Sequence, residues 1–108
     1  MSHIVQIPFM TAENNQILME PGIEHIEFQF MGDLFSELAA GRKRIRFTMT
    51  PKNQPPTVTY ISPGFNTVHI GHFQPGEHVA FHVDIENVIA DGQDGGDASS
   101  SSGEIIVQ

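Results

Sequence analysis

The stretch His78-Val79-Ala80-Phe81-His82-Val83-Asp84-Ile85-Glu86 places Val79, Phe81, Val83 and Ile85 on one side of an extended chain. His78, His82, Asp84 and Glu86 fall on the other. A period of two over this length is the signature of a half-buried β-strand. The same reading extends outward. Residues 23–31 set Ile26, Phe28 and Phe30 against His25, Glu27 and Gln29, and residues 44–50 set Ile45, Phe47 and Met49 against Arg44, Arg46, Thr48 and Thr50. Shorter alternations occupy 57–62 and 66–73. Ile4–Met10 and Ile17–Met19 also read as strands, and Pro8 suits an edge position for the first. Pro21-Gly22, Pro51, Pro55-Pro56, Pro63-Gly64 and Pro75-Gly76 punctuate these runs as turns.

Seven or eight short strands, spaced by roughly ten residues, predict an all-β domain: a small antiparallel β-sandwich or jelly-roll-like barrel. One helix is expected at about 33–40. Asp33 stands at the cap, Leu34, Phe35 and Leu38 share a stripe, and Gly41 sits where a left-handed C-cap belongs. With 108 residues the chain has room for one domain. The absence of cysteine excludes disulfides, thiolate metal sites and a cysteine nucleophile. No apolar run is long enough for a membrane-spanning helix, and Met-Ser-His-Ile-Val-Gln lacks the layout of a signal peptide, so cytoplasmic synthesis is expected. Thirteen acids against five bases give a net charge of −8, which argues against nucleic acid as a partner.

Composition divides the chain into a sandwich at 1–90, a linker at 91–103 and a terminal strand at 104–108. Asp91-Gly-Gln-Asp-Gly-Gly-Asp-Ala-Ser-Ser-Ser-Ser-Gly103 has no large apolar side chain, so alone it should remain flexible. Glu104-Ile105-Ile106-Val107 is β-rich again. A spacer ending in an adhesive strand suggests addition to a sheet, the chain's own or a neighbour's. The acid and glycine content of 91–97 also resembles a calcium loop but lacks its ligand order.

Four of the six histidines lie between 69 and 82. A hairpin of 66–73 with 78–86 would set His69 opposite His82, with His78 and Asp84 on the same face. That face is the candidate site for a divalent metal or a carbohydrate, Tyr60 and Phe65 supplying a stacking platform for the latter. Pro75-Gly76-Glu77-His78 loosely resembles part of the second cupin motif, which implies a metal-dependent enzyme. The first cupin motif is missing, so that reading comes third. No resident cofactor is expected otherwise, and no nucleophile elbow, phosphate loop or zinc-protease motif is present.

All five positive charges, Arg42, Lys43, Arg44, Arg46 and Lys52, fall within eleven residues of an otherwise acidic chain. Such a patch marks a contact with something negative, for which Asp91, Asp94 and Asp97 of a neighbouring copy are candidates. With Glu104, Ile105, Ile106 and Val107 as the docking strand, the sequence predicts a non-enzymatic structural or assembly protein. Its partner would be itself, as a homo-oligomer such as a trimer, or a larger assembly such as a capsid. A decoration or tail component of a bacteriophage virion is one setting for such a domain.

Overall fold

The computed structural model describes residues 2–7, 15–89 and 94–108. Its elements are β1 (Ser2–Ile7), β2 (Asn15–Met19), β3 (His25–Phe30), α1 (Leu34–Ala39), β4 (Lys43–Thr50), β5 (Thr57–Ile61), β6 (Thr67–His69), β7 (His78–Val88) and β8 (Asp94–Val107). They form two sheets, one ordered β1-β3-β6 and the other β2-β8-β7-β4-β5. The expected all-β sandwich is therefore correct. Two of its ladders run parallel, β1 with β3 and β2 with β8.

The apolar sides of the alternating runs meet between the sheets, where Ile26 and Phe28 pack with Ile45, Phe47, Val79 and Val83. The ring centroids of Phe28 and Phe47 lie 5.3 Å apart, tying the three-stranded sheet to the five-stranded one. Burying aromatic rings in this way supplies much of a small core's stabilisation. The helix adds Leu34 and Leu38 to that core but leaves Phe35 exposed, so the stripe is narrower than its spacing suggested. Asp33 makes no side-chain cap. The other end is tightly finished: Gly41 has φ +75°, its N–H donates to the Leu38 carbonyl, and the Arg42 N–H donates to that of Glu37. This pair of bonds is a Schellman motif, which needs a left-handed residue at Gly41.

The expected flexible linker is largely a strand. Asp94–Gly103 continues without a break into the terminal segment as the 14-residue β8, lying between β7 and β2; residues 90–93 lie outside the described residues. Composition misled because the ladder to β7 provides hydrogen-bond partners that a solitary Ser/Gly segment lacks. Small side chains also suit the position: Ser101 is buried opposite Val83, and Ser99 pairs with Ile85. Two register shifts follow between Ile85 and Val88 as β8 accommodates extra residues, with Gly96 at φ +91°. Such bulges absorb a mismatch in strand length.

The terminal strand also belongs to its own body. Ile105 and Val107 are buried between β2 and β7, and the Gln108 N–H donates to the Met19 carbonyl. Docking of 104–108 onto a neighbouring copy is thereby replaced by intramolecular pairing. The expected hairpin of 66–73 with 78–86 is absent too. β6 pairs with β3, whereas β7 pairs with β4 and β8, because the chain crosses from one sheet to the other between His69 and His78.

Because Ile105 is wholly buried, Ile105→Ala should cost about 2–5 kcal/mol, and removal of 104–108 should unfold the domain. Gly103→Ala should destabilise as well, since an added Cβ would lie 1.9 Å from the Asn15 carbonyl oxygen. Urea denaturation followed by far-UV circular dichroism measures all three; a native-like midpoint for the truncated chain would contradict this placement of β8.

Candidate functional site

The basic cluster lies along and beside β4, and partners from the same chain meet it. Arg46 donates to Asp84 Oδ2 through Nη2 at 2.9 Å and Nε at 3.3 Å, and its Nη1 stands 3.9 Å from Glu86. Arg44 Nε approaches Glu86 Oε1 at 3.4 Å without a directed hydrogen bond. The β4–β7 register explains these pairs, since Arg44 lies opposite Glu86 and Arg46 opposite Asp84. Lys43 donates to Asn87 Oδ1 at 3.0 Å, and Arg42 to the two carboxylate oxygens of Glu37 at 3.0 and 3.2 Å. Lys52 is exposed in the turn after β4. The three arginines thus meet acids of their own chain, Lys43 meets a neutral amide and Lys52 stays exposed, so most of the cluster's charge is answered within the chain.

Hydrogen bonding and charge from Arg42 hold the Glu37 carboxyl below its ordinary range. Its contribution is present at neutral pH and fades as pH falls through that lowered value. The Asp84 hydrogen bond and the charge of Glu86 raise the guanidinium of Arg46 above its usual value, so it stays charged throughout the working range.

The four proposed metal ligands separate. His82 Nε2 contacts Asp84 Oδ1 at 2.9 Å, so both oxygens of Asp84 are engaged, one by His82 and one by Arg46. His78 Nδ1 reaches Glu104 Oε2 at 2.9 Å across the β7–β8 ladder. His69 lies on the other sheet, 3.2 Å from His25. Among the described residues no group of three or more His, Cys, Asp or Glu side chains could hold a metal ion. Nor do the two stacking residues form one platform around these histidines: Tyr60 is exposed beneath the Arg44 guanidinium, 5.1 Å from the ring centroid, and Phe65 is exposed in the turn after β5.

The sandwich opens on one side instead. Ser62-Pro63-Gly64-Phe65 is a tight turn closed by hydrogen bonds in both directions, with Gly64 at φ +90°. A positive φ at the third position of a Pro-Gly turn is the type II geometry, which splays the flanking strands. From this turn β5 enters the five-stranded sheet and β6 the three-stranded one, each as an edge. Between them lies a cavity of about 280 Å³ floored by Phe47, Met49 and Val68 and rimmed by Gln54, His69 and His72. The β5 edge bordering it reads Thr-Val-Thr-Tyr-Ile, with Val58 51% and Tyr60 52% exposed. The sequence signal for this edge was present in five β-favouring residues without a charge. Which strand would be left at an edge could not be read locally.

No protein-family model matches the chain, and no curated protein matches it in sequence. Among the described residues no helix is long and apolar enough to cross a membrane.

Arg46→Met should lower stability by about 1–3 kcal/mol by leaving the buried Asp84 without its cation. Adding Asp84→Leu should recover most of that loss, because exchanging both members of a buried pair for apolar groups is far less costly than removing one. A double-mutant cycle from urea denaturation measures the coupling; strictly additive effects would contradict the pairing.

Proposed function

We propose that this protein is a non-enzymatic assembly domain that associates with a second copy of itself through the free edge of β5. The observation carrying the proposal is the make-up of that edge. An exposed strand normally bears Lys, Pro or a bulge to prevent pairing, and Thr57–Ile61 bears none of these.

The edge is also self-complementary. An antiparallel register centred on Thr59 sets Tyr60 of each copy opposite Val58 of the other, Thr59 opposite Thr59, and Thr57 opposite Ile61. Aromatic–β-branched and Thr–Thr pairs are among the stabilising cross-strand combinations, and no like charges meet. Main-chain hydrogen bonds would join the two five-stranded sheets into one. The contact is isologous and closes at two copies; a trimer would require a heterologous contact. The strand supplying the contact is therefore β5, in place of the terminal segment. A particle-bound role, such as decoration of a virion, remains the wider form of this reading, with the dimer as its building block.

The cavity beside β5 favours a second reading, a small-ligand module. Its apolar floor of Phe47, Met49 and Val68 is matched by polar groups from Gln54, Thr57, Thr59, His69 and His72, and its volume of about 280 Å³ falls just below the usual range for such sites.

Val58→Lys with Tyr60→Lys places lysines opposite lysines in the proposed register while altering only exposed side chains. Sedimentation velocity over a concentration series should show a monomer–dimer equilibrium for the native chain and monomer alone for the double variant. A native chain that stays monomeric, or a dimer indifferent to both lysines, would overturn the proposal. In that event the ligand reading is examined by amide chemical-shift changes at Gln54, His69 and His72 on addition of small sugars.

A further inference from the structure

The outer face of the three-stranded sheet carries a pair of histidines, of which the ligand reading uses only His69, at the cavity rim. His25 and His69 are register partners on β3 and β6, and His25 Nε2 lies 3.2 Å from His69 Nδ1. Their backbones are held on both sides. Ile26 pairs with Val68 next to them, and beyond them the Ile70 N–H donates to the Glu24 carbonyl at 2.8 Å. The ring centroids stand 4.8 Å apart at an interplanar angle of 61°, an edge-on arrangement.

We propose that His25 and His69 chelate one divalent transition-metal cation of the zinc, copper and nickel class. Metal–imidazole bonds of about 2.0–2.1 Å require ligand nitrogens about 2.9 Å apart at a right angle and about 3.4 Å apart at the tetrahedral angle. The observed 3.2 Å hydrogen-bond contact lies inside that interval, so a cation would replace the shared proton with the backbone held as it is. Neutral imidazole nitrogen is a preferred donor for these ions over calcium or magnesium. Glu24 and Glu27 flank His25 along the chain, and a net charge of −8 further favours cation approach. Water would complete the coordination, since two protein ligands leave positions open.

The other histidine pairings are less suited. His82 contacts an Asp84 whose second oxygen is held by Arg46, whose positive charge opposes a metal there. His78 faces Glu104 across the β7–β8 ladder and so offers a single imidazole. The site is independent of the β5 contact, which belongs to the other sheet.

The test uses the full chain, freed of metal with a chelator and titrated with zinc chloride near neutral pH by calorimetry. Cu²⁺ electron paramagnetic resonance then reports nitrogen ligation. One cation per chain is expected, with affinity falling roughly a hundredfold in His25→Ala and in His69→Ala as the chelate is lost. His78→Ala and His82→Ala should bind as the native chain does. Imidazole resonances assigned to His25 and His69 should shift together during the zinc titration. Binding that survives both the His25→Ala and His69→Ala changes, binding that depends equally on His78 or His82, or the absence of any saturable binding would overturn the proposal. Unaltered melting curves for the alanine variants establish that a lost signal reflects the ligands and not unfolding.

Discussion

The structure depends on the insertion of β8 between β7 and β2. In chain order β2 is far from the other strands of its sheet, and β8 alone connects it to them. The segment has little intrinsic tendency to be extended, because serine, glycine and aspartate favour turns and coil. What holds it is the ladder to β7 along one side, anchored by residues 103–106, which are paired on both sides, with β7 and with β2. Asn15 reinforces the junction by donating from Nδ2 to the Ser101 hydroxyl and to the Ser102 carbonyl. Gly103 then allows the Asn15 backbone to come within a distance no side chain would permit. A weak strand former is thus stable where its lack of side-chain bulk is what its neighbours require.

That arrangement explains which parts of the fold were legible in the sequence. Period-two alternation located β3, β4 and β7 and assigned their buried faces correctly, because each strand's side chains report on burial locally: Ile26, Phe28, Ile45, Phe47, Val79 and Val83 are all in the core. Gly41 and the Pro-Gly turns were legible for a similar reason, since they mark backbone conformations that few other residues adopt. Strand partners were not legible. His69 and His82 appear paired when the chain between them is taken as a hairpin, yet crossing between sheets sends them to different faces. Likewise His25 lies on a correctly recognised polar face, but nothing near it in sequence points to His69. The stretch 94–103 fails differently, since its extended form is imposed by β7 and leaves little trace in its composition.

Charge segregation along the chain shows the same dependence on topology. Arg44 and Arg46 look like an unanswered basic patch until β4 is laid beside β7, when Glu86 and Asp84 come opposite them. Both acids lie on the outward face of the sheet, yet their side chains are only 1% and 4% exposed. Carboxylates so far removed from water need a cation close by, and the arginines provide it while keeping about a third of their own side-chain surface exposed. Clustering of the bases within eleven residues is therefore a consequence of placing them on one strand facing one acidic partner strand. The same pairing sets the buried Asp84 and Glu86 against arginines of the neighbouring strand.

The turn at Pro63-Gly64 sets apart the two strands that border the cavity. Had this connection been a primed hairpin turn, β5 and β6 would have continued as neighbours in one sheet and closed the side of the sandwich. Type II geometry sends them apart, which creates two sheet edges and the cavity between them from one local conformation. Of those edges, β6 is three residues long, whereas β5 presents five residues of strong β preference. Hydrogen-bonding groups on an uncharged edge of that length are satisfied by water in the monomer and, in the proposed dimer, would be satisfied by a second strand. Pairing at β5 therefore asks little conformational change of either copy, because the recipient strand is already extended and held on its other side by β4. In the proposed dimer the low ordering cost, and not the area of a five-residue strand, would be the source of affinity.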